Sequence, residues 1–323
     1  MPHAFPRLLA TFALAAGALA PLAGAAQSSF KSPIRVIVPY APGGGADAGA
    51  RLLAPGLSKE LGQNIFIENK PGANGQIGTQ LVQHAAPDGT TLLFTVDHSL
   101  IVVPLTTPGV TYDANRDFVA LGQAFRSRWT LTIPANAPYK DFAQFAEAAR
   151  KDPLIRSYGV SYIGGAPGAV GDAIGKYLGV EMVAVPFPGS APAMQSVMGN
   201  QVPSVSTGMP EAVKAHHAGR VRVVALTGPT RSELLPEVPT FKELGVQDLE
   251  TVRTLIGFFA PKGLPPAMAR EFNAALRKVL ATPQVHEALL QMSLEPANTT
   301  LEEAASEIEE AGRFWKQKVG GPR

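Results

Sequence analysis

One pattern constrains this chain more than any other: a β-branched run that ends in a glycine loop and leads into a helix, present twice. The first copy is Pro33-Ile34-Arg35-Val36-Ile37-Val38-Pro39-Tyr40-Ala41-Pro42-Gly43-Gly44-Gly45-Ala46-Asp47. Ile34, Val36 and Val38 suit a buried strand. The three glycines let the backbone turn tightly with no side chain in the way. Asp47 stands where a helix cap or first-turn acid belongs. A helix start presents free N–H groups and the positive end of a dipole, which suits a carboxylate or a phosphate. The second copy runs from a strand over 156–161 through a glycine loop over 162–168 into a helix over 169–178. Each copy sits in its own alternation of strand and helix, as in a parallel sheet covered by helices. Two such halves would aim two helix starts at a ligand between them and could close by hinge motion. The same pattern also permits two ordinary strand–helix turns in one larger sheet.

The rest of the chain keeps the alternation. The spacing predicts strands over 64–68, 90–95, 118–125, 130–133, 181–185, 202–206, 220–226 and 256–260. Helices are expected over 48–62, 139–150 and 191–198, with Pro55 kinking the first of them or breaking its first turn. Pro265-Pro266 and Thr282-Pro283 suit helix starts, and Thr300-Leu301-Glu302-Glu303 is a capping box.

The first residues read differently. Arg7 precedes an apolar run, 8–20, too short to span a bilayer comfortably, and Ala23-Gly24-Ala25 offers a small-residue cleavage site. A secretory signal peptide over 1–26 is expected, hence export to the periplasm. The 323 residues suffice for two domains. A net charge of +2 without a dense basic run argues against a nucleic-acid partner. The absence of cysteine excludes disulfides, thiolate nucleophiles and cysteine metal sites. No cofactor and no metal are expected.

Catalytic motifs fare poorly. Gly43-Gly44-Gly45 is not followed by the Gly-Lys-Ser/Thr of a nucleotide loop. No Gly-x-Ser-x-Gly occurs, and 159–163 fails at its last position. His84 and His286 fall on helices, while the adjacent His216 and His217 point apart, which suits neither a zinc pair nor a dyad. His98, just after a strand and beside Asp97, is the one histidine placed where a cleft would lie. It reads either as a loop residue capping backbone groups or as part of a hydrolase or lyase built on His98 and Asp97. Arg126, Arg128 and Arg253 fall near the expected crossings between halves, as surface arginines or as a ligand clamp. Backbone N–H groups and ordered water could hold a carboxylate instead.

Five ordered motifs resemble the tripartite tricarboxylate transporter substrate-binding proteins, the Bug family. They are the 33–47 run, Glu68-Asn69-Lys70-Pro71-Gly72-Ala73-Asn74-Gly75, Pro87-Asp88-Gly89-Thr90-Thr91-Leu92-Leu93, Gly189-Ser190-Ala191-Pro192-Ala193 and Leu235-Pro236-Glu237-Val238-Pro239-Thr240. The resemblance implies an α/β, two-lobed periplasmic binding protein of the type II-like, Venus-flytrap kind, with its ligand cleft between the lobes and no catalytic activity. Lobe 1 would comprise 27–126 plus 228–323, and lobe 2 127–227. Such a protein, expected as a monomer, would capture a small carboxylate solute and deliver it to membrane permease subunits. A sensor subunit serving a signalling receptor is the alternative. The resemblance places the ligand carboxylate between Pro42, Gly43, Gly44, Gly45, Ala46 and Asp47 on one side and Ser161, Ile163, Gly164, Gly165 and Ala166 on the other. Tyr40, His98 and Thr207 complete the expected site. Four departures stand out: Pro188 where the family often has lysine, Pro203 where it often has an acid, Leu255 where it has tryptophan, and an unusual second loop, 162–166. They suggest a ligand whose far end is less charged or more apolar, such as an aromatic carboxylate.

Overall fold

The computed structural model describes Met1 and residues 28–161, 163, 165–187 and 189–319. The expected signal peptide, Tyr162, Gly164 and Pro188 lie outside the described residues. Among the described residues ten strands form one curled sheet: β1 (Ile34–Val38), β2 (Ile65–Asn69), β3 (Thr91–Val96), β4 (Phe118–Pro134), β5 (Ser157–Val160), β6 (Val183–Pro186), β7 (Val205–Gly208), β8 (Val221–Leu226), β9 (Arg253–Pro261) and β10 (Glu295–Pro296).

The sheet has two halves joined by one long strand. In the first, β1 runs parallel to β2 and β3, and β3 is antiparallel to β9. β9 then pairs with β4 from Phe118↔Pro261 to Arg128↔Arg253. One residue later β4 enters the second half, pairing with β7 from Trp129↔Gly208 and with β8 from Thr130↔Leu226. There β5 runs parallel to β6 and β7. The expected strands 118–125 and 130–133 are therefore one strand of 17 residues. The polar run Arg126-Ser127-Arg128 looks like a break in sequence but is paired backbone at the crossing. The segment after β8 packs on the second half: Leu226 bridges to Thr240, and Phe241 meets Phe142 edge-on at 5.9 Å.

Each half has its own aromatic core. In the first, Phe94 packs on Phe258 at 4.5 Å and on Phe125 at 5.7 Å, and Phe258 on Phe272 at 5.0 Å. Helix Gly45–Leu61 lies on this core through buried Leu53, Leu57 and Leu61. Gly49 is the point of closest approach, since a Cβ there would fall 2.3 Å from Phe125 Cζ. In the second half, Tyr158 fills the space that a side chain at Gly171 would occupy, on helix Gly165–Leu178.

Two helices begin earlier than expected, at Gly45 and Gly165 rather than 48 and 169. Glycine and proline are poor helix formers in mid-helix, but the first turn tolerates both because its N–H groups have no partner within the helix. Helix Gly45–Leu61 also continues through Pro55 without a break. The capping box holds: Thr300 N–H donates to Glu303 Oε2 at 2.8 Å, and Glu303 N–H to Thr300 Oγ1 at 3.1 Å. Among the described residues no helix is long and apolar enough to cross a membrane.

Candidate functional site

Strand direction turns the C-terminal ends of both half-sheets towards one another. β3 ends with Val96 opposite Ile256, which is opposite Phe125 of β4; β7 ends with Gly208 opposite Trp129. The two rows of loops are thus separated by four residues of β4, about 13 Å at ~3.3 Å per residue. A gap of that size suits a small ligand at a switch point between halves.

The first glycine loop is held from beneath by Asp47. Its carboxylate accepts Gly43 N–H at 2.9 Å, Arg51 Nε at 3.0 Å and Asn69 Nδ2 at 2.9 Å. Arg51, in turn, donates to Asn69 Oδ1 at 3.0 Å, and Asn69 to the carbonyl of Tyr40 at 3.0 Å. Asp47 is 3% exposed. The Arg51 hydrogen bond, with those from Gly43 and Asn69, outweighs burial and brings its pKa down to about 2. Asp47 therefore does not cap its helix: Gly44 is the N-cap, without a side-chain bond, and Asp47 reaches back to the residue before it. The outer side of the loop is open. Pro42, Gly43, Gly44 and Gly45 are exposed and Ala46 half-buried, and a side chain at Gly43 or Gly45 would meet nothing within 4 Å.

Tyr40 turns its hydroxyl inwards, to Ser99 Oγ at 2.5 Å and Thr95 Oγ1 at 3.0 Å, and burial raises its pKa. Ser99 Oγ donates to the carbonyl of Asn74 at 2.8 Å. The loops after β1, β2 and β3 are thereby laced together under the candidate cleft. The chain after β3 is not a loop but a wide helical turn, His98–Val102, started by Asp97 accepting His98 N–H at 2.9 Å. Asp97 is buried and also takes the backbone N–H of Leu255 on β9. Burial is the main cause of its pKa rising to about 7, against the pull of those hydrogen bonds and of Arg253. His98 is half-buried, and desolvation lowers its pKa.

Across the gap, Ser161 is half-buried, Ile163 is 64% exposed and Ala166 is buried. Gly165 opens its helix at φ +56°. Thr207 is fully buried opposite Thr130, whose hydroxyl donates to the Thr207 carbonyl at 3.2 Å; the Thr207 hydroxyl itself has no partner.

Other charged candidates sit elsewhere or went unnoticed. Arg126 and Arg253 both pair with Glu307, and Arg128 Nε donates to Glu295 Oε2 at 2.7 Å, on the edge of β4 away from β9. His216 pairs with Glu237 at 3.1 Å and accepts Val223 N–H, while His84 is exposed. Arg51 and Asn69 escaped the sequence reading, although Asp47 and Arg51 have the i,i+4 spacing of a helical ion pair. Glu211 escaped it too; its Oε2 lies 3.6 Å from where a Cβ on Gly208 would be, and burial raises its pKa.

Known proteins match both the sequence and the fold. A family model described as the tripartite tricarboxylate transporter family receptor matches residues 49–319. A UPF0065 protein from the tcbD-tcbE intergenic region of Pseudomonas sp. strain P51 is 32% identical over 314 residues, 97% of this chain and 93% of that one. MatC of Rhodopseudomonas palustris, solved with bound malate, is 29% identical with a TM-score of 0.68, covering 89% of this chain and 99% of that one. Rpa4515 of R. palustris, solved with adipate, is 26% identical with a TM-score of 0.72, covering 90% and 97%.

Proposed function

The chain belongs to the tripartite tricarboxylate transporter receptor family, and on that premise we propose that it is an exported receptor that captures a small carboxylate-bearing solute between its halves and delivers it to a membrane permease. The ligand carboxylate lies against the backbone N–H groups at the start of helix Gly45–Leu61, facing the start of helix Gly165–Leu178. The observation that carries this reading is the Asp47 network, which fixes the loop from the inside and leaves its outer face open. Two relatives solved with malate and adipate support the ligand class. Asp47 acts through the loop, and Gly43, Gly44, Gly45 and Ala46 supply the contact surface, with Ser161 and Ile163 opposite. The second lobe begins after Arg128, and we extend it from 227 to about 252, because Thr240 and Phe241 pack on that half. Residues 1–26 direct export.

Ile163, exposed beside the cleft, and Pro188, in place of a lysine, favour a ligand with an apolar far end. Native mass spectrometry of freshly purified protein, followed by calorimetry against dicarboxylates and aromatic carboxylates, tests both parts. Tight binding of carboxylates with an apolar far end is expected. Binding of short di- and tricarboxylates alone would remove the apolar far end; binding of no carboxylate would remove the function. An enzymatic reading would require turnover of the bound ligand that is lost in His98→Ala, whereas Asp97 is occupied by two backbone N–H groups.

A further inference from the structure

Behind the crossing of β4 and β9 lies a cavity of about 280 Å³. Its walls include Arg126 and Arg128 of β4, Arg253 of β9, Arg231 from the segment after β8, and His286 and Glu295 from the first half. It is separate from the candidate cleft. β9 and β10 pair with the same part of β4, at Phe125 and Arg126, so they occupy opposite edges of that strand. The cleft loops follow β1 and β3, on the β9 side; the cavity borders β10 and reaches β9 only at its first residue, Arg253.

In the buried part of this cavity guanidinium groups outnumber carboxylates, while Glu233 lines its exposed side. Arg126 and Arg253 share a single carboxylate oxygen, Glu307 Oε1, and Arg128 is matched by Glu295. Three guanidinium groups, each with side-chain exposure of 22% or less, thus meet two carboxylates. Arg231 and His286 reach the rim, paired with exposed Glu243 and Glu233. Glu310 adds only a longer-range attraction on Arg253, whose pKa is lowered by burial and by the like charges of Arg126 and Arg128. The Nε of Arg126 is buried without a hydrogen-bond partner.

The backbone is shaped around these groups. Gly228 adopts φ +107°, and a Cβ there would lie 2.8 Å from Arg128 Nη1. Arg128 in turn donates to the carbonyl of Thr230, fixing its guanidinium at the cavity wall. Forked, permanently charged donors held in place are the usual means of binding oxyanions. At roughly 30 Å³ per water, the volume admits a small oxyanion with several waters, which could serve the unpaired oxygens of Glu295 and Glu307.

We propose that this cavity is a second ligand site, distinct from the solute cleft, that takes a small oxyanion of the phosphate or sulfate class. Its walls come from both half-sheets, so an ion held there ties the segment after β8 to β4 and β10 across the crossing.

Two measurements on the full mature chain test it. Crystals soaked in tungstate, a tetrahedral oxyanion with strong anomalous scattering, should show a peak among Arg126, Arg128 and Arg253. Calorimetric titration with sodium phosphate at constant ionic strength should show one saturable site, at least tenfold weaker in Arg231→Gln and in Arg126→Gln. Arg231 is half exposed, so its variant keeps the test valid if the Arg126 variant fails to fold. No saturable phosphate binding, equal affinity in wild type and a folded variant, or a tungstate peak only at the glycine loop would overturn the proposal. None of the cavity residues belongs to the cleft, so this failure leaves the solute reading standing, and the converse holds.

Discussion

The carboxylate of Asp47 accepts the backbone N–H of Gly43 at 2.9 Å, from inside the helix that the loop opens. An acid at this position would repel an anionic ligand if it faced the cleft. Instead it is turned under the loop, with Arg51 and Asn69 as partners. It therefore orders the loop without presenting its charge at the loop's open outer face. Asp47→Asn is expected to weaken solute binding roughly tenfold and to lower stability by about 1–3 kcal/mol, the usual effect of disrupting a buried charged hydrogen-bond set. Calorimetry and denaturant titration check the two effects separately.

The same network fixes an acid limit. The pKa of Asp47 falls from 3.8 to about 2 on folding, so its contribution is complete above the higher value and is lost as the pH falls through the lower one. Stability differences between wild type and Asp47→Asn should accordingly shrink between pH 4 and pH 2.

Asp97 has the opposite sign. Its pKa rises from 3.8 to about 7, so the folded state holds a proton that the unfolded chain has released, and stability falls as pH rises through that window. Asp97→Asn should flatten the slope while keeping one acceptor oxygen for the N–H groups of His98 and Leu255. Thermal midpoints of the two proteins between pH 4 and pH 7.5 decide this; parallel curves would contradict it.

Gly43 and Gly44 should behave differently on substitution. Gly43 has φ +87°, so Gly43→Ala should cost about 1–2 kcal/mol of stability through backbone strain. Gly44 has ordinary φ −76°, with its nearest would-be neighbour 3.8 Å away. Gly44→Leu should leave the unfolding midpoint nearly unchanged and reduce solute affinity at least tenfold.

Gly49→Ala tests the packing that seats the loop. Its new methyl would overlap the Phe125 ring, at an expected cost of about 1–3 kcal/mol. Phe125→Leu in the same chain should recover part of that loss, which single and double variants in a denaturant series would show.

Much of this was legible in the residues. β-branched runs, glycine loops and apolar helix faces place most elements, because those signals are local. The crossing was not legible: Arg126-Ser127-Arg128 interrupts the apolar pattern, yet its backbone is fully paired with β9. Nor was the underside of the site. Tyr40 meets Ser99 across 59 residues and Asp47 meets Asn69 across 22, contacts that no periodicity encodes. The helix starts at Gly45 and Gly165 were masked by glycine, whose propensity argues against a helix where only its first turn is concerned. Glu211 carries no sequence signal of its place beside Gly208.

The proposed binding mode puts the ligand's carboxylate on backbone N–H groups of the first glycine loop. The crystal structure of the mature chain with its co-purified or best-binding carboxylate tests it most directly. A carboxylate group is expected within hydrogen-bonding distance of N–H groups between Gly43 and Asp47, directly or through one water, with Asp47 still bonded to Gly43. A ligand seated elsewhere, or one whose carboxylate is held by arginine side chains while the loop stands empty, would contradict it.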